Sequence, residues 1–374
     1  MKRFPRGSEW RKWDLHVHPP GTKLSDGYEK KSGALDWDRF CEIIHESDVE
    51  AIGIADYFSL DGFFAFKEEY ERRYPDSGKV FFPNLELRLN EAVNKASEYV
   101  HMHLILRPDI KREKADEFLR RLNTESRDEA SRLMSCSEMA SERDYEKATV
   151  SRDSIKKAIT ETFGEKTDRS DNVIVVAAAN NDGIRPASGN RRRMELSDEL
   201  DKFSDSFFGS PDNTDYFLDS DRLETETHRE RPKPVFTGCD AHSFGQLDAW
   251  LGKEATGDNA KHVTWIKADL TFEGLQQTLI EPSERVRIQA TKPDKKEPYK
   301  VISKIVFSNS DLFPSKVEFN PGLNSVIGSR SSGKSALLAY IAHAIDPEYT
   351  VRQQLGVIPS AGEAAVGPGA GVTW

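Results

Sequence analysis

The sequence predicts an α/β fold with mostly parallel strands, and three observations lead there. Apolar runs of strand length recur along the first three quarters of the chain, separated by amphipathic or charged stretches of helical length. Most of these runs end in a histidine or a carboxylate, and strands that close into a barrel gather such ends on one rim, where barrel enzymes place their chemistry. The alternation stops at Lys292-Pro293-Asp294-Lys295-Lys296-Glu297-Pro298, a lysine- and proline-rich linker that separates residues 1–291 from residues 299–374.

The first strand is Trp13-Asp14-Leu15-His16-Val17-His18, whose histidines at i, i+2 leave the same face. An isolated His-x-His is more often a buried structural pair. Here the pair is joined farther on by Asp56, Glu86, His101/His103 and Asp240-Ala241-His242, a recurrence that points to a divalent-metal site. Residues 36–48 read as a helix with Trp37, Phe40, Ile43 and Ile44 on one side. Ala51–Ala55 is a buried strand that delivers Asp56-Tyr57, and Phe64–Tyr74 is helical. Lys79–Pro83 leads toward Leu85-Glu86-Leu87, and Tyr99–Leu106 alternates like a strand carrying His101 and His103. Lys111–Thr162 is charged and helix-prone, a solvated helical face. Asn172–Ala178 is another strand, ending in Asn180-Asn181-Asp182-Gly183. Residues 185–232 are polar, carry Arg191-Arg192-Arg193 and Phe207-Phe208, and read as an irregular insertion. Pro234–Cys239 presents Asp240 and His242, and a helix over Thr271–Leu279 follows. His45, His228, His262 and His343 fall in a helix, the polar insertion, the approach to a strand and the last helix, and stay outside the site.

Composition narrows the class. At 374 residues the chain holds about two domains and a sizeable core. Its net charge of −10 does not announce nucleic-acid binding, though a metal or a local basic patch can still draw phosphate. Arg3, Arg6, Arg11 and Lys12 interleave with Trp10 and Trp13; a nucleic-acid backbone contact and an ordinary charged terminus both remain open for them. Three cysteines without a CxxC spacing form neither a disulfide framework nor a zinc ribbon, which suits reduced thiols in the cytoplasm. The first residues lack the apolar core of a signal peptide, and the run Val173–Ala179 is too short to span a bilayer.

Two motifs carry chemistry. Imidazole and carboxylate donors together suit zinc, manganese or iron, and an ion so held activates water and neutralises phosphoryl charge. Past the linker, Gly328-Ser329-Arg330-Ser331-Ser332-Gly333-Lys334-Ser335 matches G-x-x-x-x-G-K-[ST] in full. Leu323–Ile327 reads as a strand into this loop and Ser335–Ile341 as a helix out of it. Backbone N–H groups there cradle the phosphates of ATP, Lys334 reaches the β/γ oxygens and Ser335 holds magnesium.

The run Asp14-Leu15-His16-Val17-His18, the strand end Ile54-Ala55-Asp56, Glu86, the His101/His103 strand and Gly238-Cys239-Asp240-Ala241-His242-Ser243 together resemble the PHP (polymerase and histidinol phosphatase) metal-dependent phosphoesterases over roughly residues 10–290. The resemblance implies a distorted (β/α)7 barrel holding up to three divalent ions. Carried over by position, it makes ligands of His16, His18, Glu86, His103, Asp240 and His242, with His101 as a substitute and Asp26 as a further candidate. Asp56 joins His16, His18, Glu86, Asp240 and His242 in the catalytic set, from where it or Asp240 can orient an imidazole. Two departures lower the expected count to one or two ions: Tyr57 stands where the family pattern has histidine, and so do Asn180-Asn181.

Val317–Asn324 resembles the first strands of SMC/ABC-type ATPases. Some forty residues follow the loop, with neither a second acidic strand nor an ABC signature, so the expectation is a partial ATPase domain that binds ATP and does not hydrolyse it alone. A PHP domain followed by such an ATPase is similar to the TrlF-type PHP–ATPase proteins of bacteria, as are Thr264–Asp269 and Thr271–Leu275 between the two parts. The resemblance implies a cytoplasmic nuclease for DNA or RNA, controlled by ATP binding, acting in nucleic-acid processing or phage defence, and self-associating through the ATPase part or with a partner protein. A small-molecule phosphomonoesterase and a catalytically degenerate scaffold or sensor are the alternatives, the last suggested by Tyr57 and Asn180.

Overall fold

A computed structural model describes residues 6–93, 99–164, 169–180, 183–185, 193–223, 229–257, 260–294, 296–307, 313–348 and 372–373. The chain divides into two compact units, Trp10–Pro293 and, separately, Met1–Glu9 with Asp294–Trp374. Among the described residues Arg6 and Ser8 join the second unit: Arg6 Nε donates to Phe319 O at 2.9 Å, and Asn320 Nδ2 donates to the carbonyls of Arg6 and Ser8.

In the larger unit, β1 (Glu9–Val17), β2 (Ala51–Tyr57), β3 (Val80–Arg88), β4 (His101–Leu106), β5 (Val173–Ala178), β6 (Ser206–Phe208), β7 (Val235–Phe236), β8 (Thr264–Ala268) and β9 (Val286–Ile288) form one sheet in the order β7-β6-β5-β4-β3-β2-β1-β8-β9. From β1 to β7 neighbours in sequence are neighbours in space, so the sheet rolls round and nearly closes. The segment after β7 returns to β1, where Val17 bridges Ala241, His18 N donates to Ala241 O at 3.2 Å and Asp240 N donates to His16 O at 2.8 Å.

The expectation of mostly parallel strands meets antiparallel pairs in two places. β9 runs antiparallel to β8. β4 runs antiparallel to both β3 and β5, while β1/β2, β2/β3, β5/β6 and β6/β7 are parallel. The stretch between Arg88 and His101 holds no helix among its described residues, and a link without a crossover element returns as a hairpin.

The main helices of the unit are α1 (Trp37–Glu46), α2 (Asp61–Arg73), α3 (Arg112–Arg121), α4 (Arg152–Phe163), α5 (Met194–Phe203), α6 (Pro211–Leu218), α7 (Phe244–Trp250) and α8 (Phe272–Ile280), with short helical turns at Glu142–Lys147 and Pro282–Arg285. Side chains set their starts: Asp36, Ser151, Ser243 and Thr271 each accept the backbone N–H three residues on. α1 buries Phe40, Cys41 and Ile44, with the Phe40 ring edge-on to Phe66 of α2 at 5.4 Å. Trp37 and Ile43, placed on the same side by periodicity, are only half-buried. Cys41, Cys136 and Cys239 are buried free thiols.

Two stretches fold differently from expectation. Lys111–Thr162 is not continuous helix, because an antiparallel hairpin, Asn123–Arg127 with Leu133–Ser135, separates α3 from α4. Residues 185–232 are no irregular insertion. They supply α5, β6 and α6, and Phe207 of β6 is buried with its ring stacked on Phe217 at 3.6 Å. The polar composition misleads because its charges face inward. Asp201 accepts from Arg222 Nε and Nη2 at 2.9 and 2.8 Å and from Lys233 Nζ at 3.0 Å, all three groups being buried. Arg191, Arg192, Asn181, Asp182 and His228 lie outside the described residues.

In the second unit β10 (Lys304–Phe307) pairs antiparallel with β11 (Lys316–Glu318), and Ile305 and Phe307 pack with Leu337 of α9 (Lys334–Ile345). The helix expected after the glycine loop is present, but Leu323–Ile327 forms no strand. A strand at that place needs parallel neighbours, and among the described residues none pairs with it; Leu323 and Ile327 are exposed at 92% and 90%. Most of the C-terminal tail lies outside the described residues. No described helix is long and apolar enough to cross a membrane.

Candidate metal centre

The site is built where β1 ends. The β1/β2 register slips between Asp14 and Val17, a bulge that turns His16. Leu15 O accepts Asn84 Nδ2 from β3 at 2.8 Å, and β2 comes so close beneath that a Cβ on Gly53 would lie 2.1 Å from the same oxygen. The Asp14 carboxylate, on the face of His16, takes the N–H of His16 at 3.2 Å and that of Cys239 at 3.1 Å. It thereby clips the first strand to the segment carrying Asp240 and His242. Burial raises Asp14 to about 6 despite those donors. The two backbones pass so closely that a Cβ on Gly238 would sit 2.3 Å from His16 Cβ, and Asp240 itself adopts φ +52°.

This approach brings together residues more than two hundred positions apart. His16 Nε2 and His18 Nε2 are 3.1 Å apart, and each is 3.1 Å from Glu86 Oε2. Asp240 Oδ1 lies 3.3 Å from His16 Nε2, 3.5 Å from His18 Nε2 and 3.7 Å from His242 Nδ1. The donors fall into two overlapping sets that share His18: His16, His18 and Glu86, and His18, Asp240 and His242. Donors on one ion at bond lengths of about 2.0–2.2 Å stand roughly 3.0–3.5 Å apart, so the spacing and the N/O donor set fit zinc, manganese or iron.

Electrostatics agree. Burial works against a charge on His16, but the carboxylates of Asp240 and Glu86 outweigh it and raise the imidazole to about 9. Burial likewise opposes the charge on Glu86, yet His103 and His16 hold it well below the usual range. Burial and then the His18 ring push His242 down to about 4, and burial followed by His16 pushes His103 well below its ordinary value. One proton held on His16 between two carboxylates thus marks where a cation is favoured.

The remaining predicted residues surround this pair of sets. On β3 and β4 Glu86 lies opposite His103 and Arg88 opposite His101, but the side chains bond diagonally. His101 Nδ1 is 2.8 Å from Glu86 Oε1, and His103 Nδ1 is 3.1 Å from Asn84 Oδ1. The buried His103 ring lies edge-on to His16 at 4.4 Å. Asp56 stands outside both donor sets. Its Oδ1 accepts from Thr22 Oγ1 at 2.9 Å and from Lys23 N at 2.8 Å, and Thr22 Oγ1 in turn lies 3.1 Å from His18 Nδ1, so Asp56 orients the ring through Thr22. Burial raises Asp56 to about 6. Asp26 is also outside: its carboxylate accepts the N–H of Gly21 and Tyr28, bracing the loop after β1. Tyr57, in the histidine's place, stacks on His18 at 4.9 Å and reaches His242 Nε2 with its hydroxyl at 3.2 Å. Asn180 and Asn213 exchange amide hydrogen bonds of 2.8 and 3.0 Å, so Asn180 holds α6 rather than an ion.

Thr22 and Asn84 are neighbours that sequence reasoning passed over; Phe208, read as part of an irregular insertion, and His262, placed outside the site, both line the cleft. Asn84 and Glu86 alternate on one face of β3, a pattern visible in the sequence, whereas nothing local marks the other three. A cleft of about 430 Å³ opens from the donors and is lined by Tyr57, Phe208, Ser210, Lys261 and His262 among others. The N-terminal basic and aromatic residues are engaged elsewhere. Arg11 Nη1 donates to Ala268 O at 2.6 Å, Lys12 Nζ donates to Asp48 and to Gly252 O, and Trp13 is buried against Phe82. Arg3 lies outside the described residues.

In the second unit the loop residues Gly328–Ser332 are exposed, Gly333 adopts φ +86° at the start of α9, and Lys334 Nζ donates to Gly328 O at 2.8 Å and Ser329 O at 2.7 Å. Lys334 therefore curls over its own loop.

No family model matches the sequence, and no curated protein does. Among solved structures the chain is similar to a two-domain protein from Bacteroides vulgatus containing a predicted PHP-like metal-dependent phosphoesterase, at 11% identity over 86% of this chain and 87% of that one, TM-score 0.42. It is similar also to a protein from Bifidobacterium adolescentis described as a metal-dependent phosphoesterase, at 15% identity over 68% and 93% of the two chains, TM-score 0.34. A third is an amidohydrolase from Chromobacterium violaceum with bound sulfate and no metal, at 14% identity over 74% and 97%, TM-score 0.33. Scores this low assign neither fold nor activity to this chain, and the metal centre stands on its own geometry.

Proposed function

We propose that the larger unit is a metal-dependent phosphodiesterase of the PHP kind, a nuclease for DNA or RNA, whose action is governed by ATP with magnesium on the glycine loop of the second unit. One observation carries the reading: His16, His18, Glu86, Asp240 and His242, from three separate parts of the chain, meet at ligand spacing, and His16, Glu86 and Asp240 among them line an open cleft. These residues would hold one or two ions of manganese, zinc or iron, which when bound would supply Lewis acidity for activating water and neutralising phosphoryl charge. The chain's own residues do the rest. Asp240, 45% exposed, offers its carboxylate at the cleft floor, and Asp56 with Thr22 keeps His18 in orientation. Phe208 packs on His16 at 5.4 Å and keeps bulk water from that side. Tyr57, whose hydroxyl burial holds protonated far above neutral pH, can donate to a phosphate oxygen. A cleft of about 430 Å³ admits a nucleotide-sized group and exceeds what a lone phosphate needs.

Gly328, Ser329, Arg330, Ser331, Ser332, Gly333, Lys334 and Ser335 form the proposed ATP site, with Lys334 leaving its two carbonyls for phosphate. Self-association through this unit belongs to the same reading. The test is incubation with manganese and single- and double-stranded DNA and RNA. Cleavage abolished by His16→Ala with Asp240→Ala supports the reading; absence of cleavage rejects it. Turnover of an aryl phosphate monoester without nucleic-acid cleavage would favour a small-molecule phosphatase instead. The scaffold reading draws on Asn180, locked to Asn213 where the family pattern has a ligand, and it wins if titration with manganese, zinc and iron leaves the protein metal-free.

A further inference from the structure

His262 lies in the wall of the metal cleft and belongs to neither donor set. Its ring is not a loose surface group. Nδ1 is 3.1 Å from Glu254 Oε2, and Glu254 is itself fixed because its Oε1 accepts Val263 N at 3.0 Å. The backbone is pinned as well: Thr237 Oγ1 donates to His262 O at 2.7 Å, and Thr237 directly precedes Gly238, the glycine that abuts His16. With Nδ1 turned to a carboxylate, Nε2 is the nitrogen left for the cleft, and among the described residues it has no hydrogen-bond partner. Lys261, beside it in the cleft wall, has its ammonium over the Trp250 ring at 4.8 Å and adds positive charge at the same edge.

An imidazole held by a carboxylate beside a hydrolytic centre, with one nitrogen free, is the arrangement of a general acid. We propose that His262 is the catalytic acid that protonates the departing oxygen of the substrate, with Glu254 as its positioning residue. The inference rests on the phosphodiesterase reading and names its substrate class: esters whose leaving group is an alkoxide, such as the sugar oxygens of a nucleic acid. Water supplies the oxygen that adds to phosphorus, and one of its O–H bonds breaks, that proton passing to solvent. The bond from phosphorus to the leaving oxygen breaks, that oxygen keeps the electron pair and takes the proton from Nε2 of the imidazolium, and Glu254 retains the proton on Nδ1. Solvent then returns a proton to Nε2, so each turnover consumes one water.

The test compares two diesters on the full chain loaded with manganese: a dinucleotide, whose alkoxide needs a proton to leave, and a nitrophenyl ester of a nucleotide, whose phenolate leaves without one. His262→Gln should lower kcat/KM for the dinucleotide about a hundredfold and for the nitrophenyl ester less than about threefold. Glu254→Gln should show the same selectivity at smaller size. Manganese affinity, measured separately, should not change. Equal losses on both esters, or none on either, overturn the role of His262 while leaving the phosphodiesterase intact. If wild-type protein hydrolyses neither ester, the phosphodiesterase reading fails and this assignment falls with it.

Discussion

Gly238→Ala tests the ring closure on which the metal centre depends. The added methyl would sit 2.3 Å from His16 Cβ, whereas carbon atoms rest about 3.5–4.0 Å apart, so the segment must retreat from β1 by more than about 1 Å. Overpacking of this kind costs about 1–3 kcal/mol of stability. The effect on the ion is larger, because the same retreat widens the 3.3 Å separation of His16 and Asp240, and ligand distances tolerate only about ±0.2 Å. Metal affinity should fall about a hundredfold or more. Mass action turns this into a melting experiment. At a metal concentration about 100 times the wild-type Kd, bound metal stabilises wild type by about 2.7 kcal/mol, and a hundredfold weaker variant by only about 0.4 kcal/mol. Thermal unfolding of G238A with and without manganese, alongside calorimetric titration of the stripped protein, reads both quantities. A variant that melts within a degree of wild type in chelator and binds manganese within threefold of it would refute the close approach.

Metal binding should be pH-dependent. His16, raised to about 9 in the metal-free protein, must lose its proton to coordinate, so affinity should rise about tenfold per pH unit up to pH 9. Calorimetry in buffers of different ionisation enthalpy should find about one proton released at pH 7.5, and pH-independent affinity would contradict it. The sign for folding runs the other way: the raised imidazole stabilises the metal-free protein fully below its unfolded value of 6.5, and that contribution is lost as pH rises through about 9. Phe207→Ala, which empties the stack on Phe217, should cost about 3–5 kcal/mol in denaturant unfolding; a loss under 1 kcal/mol would mean that β6 is not part of the core. Lys334→Ala should abolish binding of a fluorescent ATP analogue while leaving manganese affinity unchanged, and retained nucleotide binding would remove the loop from the proposed site.

Much of the barrel was legible because its strands are apolar runs whose chemistry sits at their ends. His16 and His18 share a face by simple alternation, and Asp240 and His242 follow a strand in the same manner. What the sequence hid has physical causes. β6 is three residues long, and the charges around it (Asp201, Arg222, Lys233) are paired inside the protein, so the segment has the composition of a solvent-exposed loop. The antiparallel β4 was hidden because an apolar run carries no direction. Asp56 could be read as a residue that orients an imidazole because it ends a strand, but the Thr22 hydroxyl through which it reaches His18 is a tertiary fact. The Leu323–Ile327 run has strand propensity without the neighbours that would pair with it, and propensity alone does not form a ladder.

The Asp14 carboxylate grips the amides of His16 and Cys239 at once, joining residues that synthesis separates by most of the larger unit. Contacts of such long range form late, after the intervening strands have bridged the distance. A nascent or partly unfolded chain therefore offers a transition metal two histidines and little else. Only the finished ring brings both donor sets together, so the candidate metal centre is completed by the last step of folding.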